Sequence, residues 1–265
     1  MTNPLILSDA QQVIGRRWSK EQSPEQARIL SLARDALDFI SATGRWYPFE
    51  DFRAHGGHRE AQAMGENGST GLRELLCKTE RFFGNLLDDL GAAGEQVPIQ
   101  VILDALRFIS SAGQHEAFGD FIEHVESHAP PFVVASFETQ QEAEAWLKTH
   151  PSPPAFGDIL IGGRYHDVVY ERETDFRRLP WNRHLDRYLA WLKRFEPPVA
   201  AASFATREEA GAWLNSQPHP ARRTWVMIAG EFYLAAYYPN INHRALYPLS
   251  MASIDEEVEE ETEFP

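Results

Sequence analysis

Part of this chain is written twice. Residues Ser136 to Leu147 read SFETQQEAEAWL and residues Ser203 to Leu214 read SFATREEAGAWL, an offset of 67. The match runs on without a gap. Pro151 and Pro153 correspond to Pro218 and Pro220, Ile161 and Gly163 to Ile228 and Gly230, Tyr165 to Phe232, Tyr170 to Tyr237, and Arg177-x-Leu179 to Arg244-x-Leu246. A fixed internal spacing constrains a fold strongly, because each copy must form the same unit.

The unit's local structure follows from its residues. Phe132 to Phe137, and the shorter stretch before Phe204, are apolar and β-branched, as strands are. Thr139 and Thr206 each stand three residues before a glutamate, Glu142 and Glu209. That spacing is a capping box, so a helix is expected from there to Thr149 or Ser216, ended by the Pro pairs. Asp158-Ile-Leu-Ile and Thr224-Trp-Val-Met-Ile then each run into a glycine turn, at Gly163 and Gly230, and a second strand. The unit is β-α-β-β. The first copy adds a helix over about 182–195, with Leu185, Tyr188, Leu189 and Leu192 on one face. The two units either join into one sheet about a pseudo-twofold or pair with a second chain, as in a homodimer.

The first half is duplicated more faintly, at an offset of 69. Ala36 to Phe52 reads ALDFISATGRWYPFEDF and Ala105 to Phe121 reads ALRFISSAGQHEAFGDF. Each copy predicts a long helix closed by a glycine, Gly44 or Gly113, and a short second helix. Ile29, Ala33, Ala36 and Ile40 form one apolar stripe, and Ile99, Ile102, Leu106 and Ile109 the other. Leu72, Leu75, Leu76, Phe83, Leu86, Leu87 and Leu90 predict an amphipathic helix between them. Gly56 to Gly71, rich in Gly, Asn and Ser, predicts a flexible loop. The expected class is α+β: a helical domain over 1–130 with a duplicated helix-turn-helix, a duplicated β-α-β-β domain over 131–254 (copies about 132–195 and 199–254), and an acidic tail over 255–265.

Charge narrows the partners. The chain of 265 residues has a formal net charge of −14. Seven acids and no base fall in 255–265, while 1–130 holds twelve Lys/Arg against nineteen Asp/Glu. A net-acidic surface repels phosphate backbones, so no nucleic-acid partner is expected. No apolar run approaches the roughly 20 residues a membrane helix needs, and Leu5 to Leu7 stop short of a signal peptide, so no membrane partner and a cytoplasmic location are expected. The tail is expected either to be a solvated end or to dock on a basic surface.

Candidate chemistry is thin. The only cysteine, Cys77, allows no internal disulfide; beside Leu75 and Leu76 it reads as packing. No nucleophile elbow, phosphate loop or dinucleotide fingerprint occurs, so no catalytic residue and no cofactor are expected. His55, His58 and Glu60 offer metal-ligand types in the glycine-rich loop, and the His124/His128 spacing predicts one helix face. The bland alternatives are solvent-exposed loop histidines and a polar helix face. His166 and Asp167, an acid–base pair by type, become Tyr233 and Leu234 in the second copy. Trp146 and Trp213 fall beside Ala143/Ala210 and Leu147/Leu214 and read as core. Arg177 and Arg244 recur without an evident reason; each can fork onto a carboxylate or phosphate, or bridge to a backbone carbonyl or to an acid of the adjoining copy.

Between Glu171 and Arg194 seven bases face four acids, with aromatics interleaved. Arg and aromatic residues are enriched at the centres of protein interfaces. Arg172, Arg177, Arg178, Trp181, Arg183, Arg187, Trp191 and, from the second copy, Arg244 are therefore the candidate protein-contact residues. The same surface could instead receive the acidic tail.

The wording SFxTxxEAxAWL with its glycine hairpin resembles uncharacterised paralogous proteins of predatory soil bacteria such as myxobacteria. Some of those accompany secreted toxins as immunity partners. The resemblance covers at most the second half and points to no functional residue. It implies an immunity role; the charge layout, the Arg/aromatic surface and the missing catalytic motifs lead to the expectation of a non-enzymatic protein-binding protein, an immunity-type inhibitor that masks a basic partner. A metal-dependent hydrolase using His55, His58, His124 or His128, and a small-ligand sensor with its site between the two repeats, are the alternatives.

Overall fold

The computed structural model describes residues 5–18, 23–56, 70–89, 95–111 and 113–252. The expected flexible loop (apart from its ends), His58, Glu60, Leu90 and the acidic tail lie outside them. The chain is α+β and divides into two compact units, Met1–Glu123 with Pro154–Phe156, and His124–Pro153 with Gly157–Pro265.

The first unit is built from α1 (Leu5–Trp18), α2 (Pro24–Ala42), α3 (Trp46–Ala54), α4 (Thr70–Asp89), α5 (Gln96–Ser111) and most of α6 (His115–Glu126). The two predicted stripes are its core: Ile29, Ala33, Ala36 and Ile40 of α2, and Ile99, Ile102, Leu106 and Ile109 of α5, are all buried. Ser23 caps α2 in a reciprocal capping box with Gln26. Gly44 and Gly113 take matching left-handed conformations, φ 67° and 66°, so the two helix-turn-helix copies turn alike. Phe49 and Phe118 occupy equivalent buried positions behind these turns. Cys77 departs from expectation. It is exposed, because Leu76, Thr79 and Phe83 carry the buried stripe of α4 and Cys77 falls just beside it.

The second unit holds one main sheet per copy and a separate two-stranded ladder in the first copy. In the first copy β1 (Val133–Phe137) runs parallel to β2 (Asp158–Ile161) through α7 (Gln140–Thr149), and β2 pairs antiparallel with β3 (Arg164–Asp167). A short ladder of β4 (Val169–Glu171) and β5 (Phe176–Arg178) follows, then α8 (His184–Phe195). In the second copy β6 (Ala202–Phe204), α9 (Arg207–Ser216), β7 (Arg223–Ile228), β8 (Glu231–Tyr238) and β9 (His243–Pro248) make one sheet in the order β6-β7-β8-β9. Registers agree across the offset. Ser136 pairs with Leu160 as Ser203 does with Met227, and Asp158 pairs with Asp167 as Trp225 does with Leu234.

The interruption in the first sheet has a local cause. Pro180 stands where the second copy has Tyr247, the partner of Leu234. Its carbonyl accepts from the Asp167 amide at 3.0 Å, but proline has no N–H to return. The unbroken β8 therefore becomes β3 and β4, split at Val168.

Both capping threonines perform as expected: Thr139 accepts from the Glu142 amide and Thr206 from the Glu209 amide, and the helices end at Thr149 and Ser216. The copies do not join into one sheet, the first of the two expected arrangements. Each sheet has apolar residues on both sides. The outer faces pack on α7 (Ile159, Ile161 and Val168 against Ala143 and Leu147) and on α9 (Val226, Ile228 and Ala235 against Ala210 and Leu214). The inner faces meet in one shared core with Leu185, Leu189 and Leu192 of α8. Within that core the hydroxyls of Tyr165 and Tyr238 lie 2.7 Å apart, and Tyr238 donates to Tyr247 at 3.2 Å. Trp146 packs on Phe137 and Trp213 on Phe204 at the same 45° tilt, each partly buried against its copy's core.

Candidate functional site

The repeated arginines serve their helices. The Arg177 guanidinium donates to the carbonyls of Leu147, Lys148 and His150 where α7 ends, pairs with Asp175 at 2.8 Å and lies over the Tyr170 ring. Arg244 reaches the Gln217 carbonyl at the end of α9 and lies over Tyr237. A helix leaves its last carbonyls unpaired and carries partial negative charge there, so a cation at that end stabilises the helix of each copy. Of the two readings offered by the sequence, the backbone bridge is what the geometry shows, and each bridge stays within its own copy. Arg177 and Arg178 also line a groove of about 610 Å³ with Gln140, Glu144 and Lys148.

The other contact candidates are exposed, and several stack on rings. Arg172 follows β4 on the surface, and Arg178 covers Phe176. Trp181 is 51% exposed, with the Arg183 guanidinium 5.6 Å from its ring. Arg187 and Trp191 lie one turn apart on the outer side of α8, and Phe195 follows one turn later. Trp191, 42% exposed, meets Phe195 at 5.7 Å and the His128 ring at 6.2 Å. Arg194 lies over Phe195, which is 58% exposed. Phe176, Phe195 and His128 belong to this surface although the sequence alone did not assign them to it.

The described histidines fall in different settings. His55 ends α3, exposed, with its ring on the Asp51 carbonyl. His124 and His128 do not share a helix face, because α6 stops at Glu126 and His128 adopts φ 48°. The polar-face reading of His124 also fails. Its side chain is buried against Phe132, with Nε2 on the Pro130 carbonyl at 2.7 Å and Nδ1 unpaired. Burial pushes its pKa down to about 4. His166 and Asp167, adjacent on β3, do not act together: His166 bonds the Leu179 carbonyl, and Asp167 bonds Asn182.

Asp167 belongs instead to a constellation that was not anticipated. Asp158 and Asp167 are direct cross-strand partners on the inner side of the first sheet. Asn182 donates its amide to both carboxylates, at 2.9 and 2.8 Å, and its own oxygen accepts from the His184 amide, which fixes the orientation. His184, the first residue of α8, places Nδ1 2.8 Å from Asp158. Asp158 is only 8% exposed. Burial is the main cause raising its pKa, with Asp167 adding to it, while the Asp158 carboxylate raises that of His184. A signal for this site did exist. At the offset of 67 the four residues become Trp225, Leu234, Leu249 and Met251. Positions that change from apolar to polar between copies, not those that recur, mark it.

Fold and site thus define an α+β protein whose second half is a duplicated β-α-β-β unit, with the Asp158, Asp167, Asn182 and His184 constellation in the first copy alone. No protein-family model, curated protein or solved structure matches the chain. No helix among the described residues is long and apolar enough to cross a membrane.

Proposed function

We propose that this chain is a non-enzymatic protein-binding protein whose contact face is the Arg/aromatic surface of α8 and the segment leading into it. One observation carries the reading. Among the described residues of the second unit, every large hydrophobic side chain that is exposed lies between Phe176 and Val199: Phe176, Trp181, Trp191, Phe195 and Val199. An exposed patch of this kind, interleaved with arginines, is the composition of an interface centre. Arginines stacked on rings keep those rings in place before any partner arrives. The buried side of α8 holds the core, and Arg187, Trp191 and Phe195 on its outer side are exposed.

Charge selects the partner. The segment from Glu171 to Arg194 carries seven bases against four acids, so it suits a protein surface rich in carboxylates. Inhibition of a basic toxin, the immunity role implied by resemblance, would have to draw on the acidic first half instead. The test compares capture from lysate by the wild-type chain and by Trp191→Ala/Phe195→Ala, each at low and high salt. Both residues are exposed enough for the variant to fold. The expected result is a protein retained by the wild type, weakened by salt, and lost at least tenfold in the variant. Equal capture by both chains would refute this face.

A further inference from the structure

The inner face of each sheet is a core surface, and three of the four polar groups at one end of the first sheet's inner side come from acids and an imidazole. Two carboxylates directly opposite across an antiparallel pair repel each other. Here the pair is conspicuous because the scaffold does without it. The second copy keeps the same register with Trp225 opposite Leu234, both part of the shared core. Nothing in the β-α-β-β unit therefore requires acids at this place, and a departure from the apolar pattern of a repeated unit points to function or strain.

One ligand atom each from Asp158, Asp167 and His184 can be chosen such that all lie within 4.8 Å of one another. The donors come from three elements, β2, β3 and the start of α8, so the site is assembled by the fold and not by neighbours in sequence. Asn182 bridges both carboxylates, holding them toward a common point. Two hard carboxylate oxygens with one imidazole nitrogen suit a first-row divalent ion better than an alkali ion, and three protein ligands leave positions open for water or a ligand.

We propose that Asp158, Asp167 and His184 form a binding site for a first-row divalent cation on the inner face of the first β-α-β-β copy. The site adjoins the proposed contact face through His184, the first residue of α8, but does not depend on that reading. Its second-copy counterpart binds no metal, having only apolar side chains.

The test uses the full chain, stripped with chelator, titrated with Mn²⁺ and with Zn²⁺ by calorimetry and thermal shift. Saturable one-to-one binding is expected, with a melting temperature that climbs with metal concentration. Asp167→Asn, close to isosteric, should weaken binding at least tenfold. Because that variant could disturb the network, paramagnetic broadening by Mn²⁺ is read on the wild-type chain as well. The His184 ring resonances, assigned with His184→Gln, should broaden first. No saturable binding of either ion would overturn the proposal. So would binding that Asp167→Asn leaves unchanged, or broadening that reaches another histidine such as His55 before His184.

Discussion

His124 makes the fold sensitive to acid. Its Nε2 bonds a carbonyl, which accepts only, so Nε2 carries the proton and buried Nδ1 does not. Protonating Nδ1 would place a cation in the apolar setting of Phe132. Burial accordingly lowers the pKa from 6.5 to about 4, with the Pro130 bond opposing and Arg222 adding slightly. The unfolded chain binds the extra proton first, so stability is complete above the unfolded value and is lost as pH falls from there toward the folded value. The full loss across that window is about 3 kcal/mol, of which about 2 kcal/mol is gone by pH 5. His124→Phe keeps the ring contact and removes the titration. Urea unfolding, followed by circular dichroism at pH 8 and pH 5, should show the wild type losing about 2 kcal/mol more than the variant. Parallel pH dependence in the two chains would refute the assignment of His124 as a buried neutral imidazole.

Three further outcomes follow from residues that the repeats set side by side or that burial isolates. Gly44 and Gly113 share a left-handed backbone, but a Cβ on Gly44 would meet the Pro154 backbone at 2.5 Å while one on Gly113 meets nothing. Gly113→Ala should cost about 1 kcal/mol in chemical denaturation and Gly44→Ala more than about 3 kcal/mol; equal costs would refute the close approach. Ala229 holds φ 51° in the turn where the first copy has Gly162 at φ 55°, so Ala229→Gly should raise stability by up to about 1 kcal/mol, and a loss of stability would count against strain there. Asp38, pushed up to about 6 chiefly by burial, is a raised carboxyl whose cost is absent below its unfolded pKa and grows as pH rises through 6. Asp38→Asn should stabilise by up to about 3 kcal/mol at pH 7.5 and by almost nothing at pH 4; a destabilised variant at pH 7.5 would contradict this.

The elements of the fold were legible where local chemistry decides them. Thr139 with Glu142, Gly163 in its hairpin, and the apolar stripes of α2 and α5 act through neighbours a few residues away, and the structure places each as expected. The stacking of the two sheets was not legible. Ile159 and Leu160 are both fully buried, so the strand is apolar on each side and does not announce which side meets the other copy. The burial of His124 depends on the backbone bend that brings the Pro130 carbonyl back onto its ring. The Asp158 cluster was not legible from the positions that recur, because its four residues are those the second copy discards. They span 158 to 184 and meet only through the β2–β3 register and the entry to α8.

The central claim is a division of labour: recurring residues hold the scaffold, and the residues peculiar to the first copy meet the partner. The most direct measurement scores two properties, folding stability and partner capture, for Arg177→Ala and Arg244→Ala beside Trp191→Ala and Phe195→Ala. The arginine variants should lose about 1–2 kcal/mol of stability and retain capture in proportion to folded protein. The aromatic variants should keep stability and lose capture. The reverse pattern, with capture following the arginines and untouched at Trp191 and Phe195, would contradict the claim.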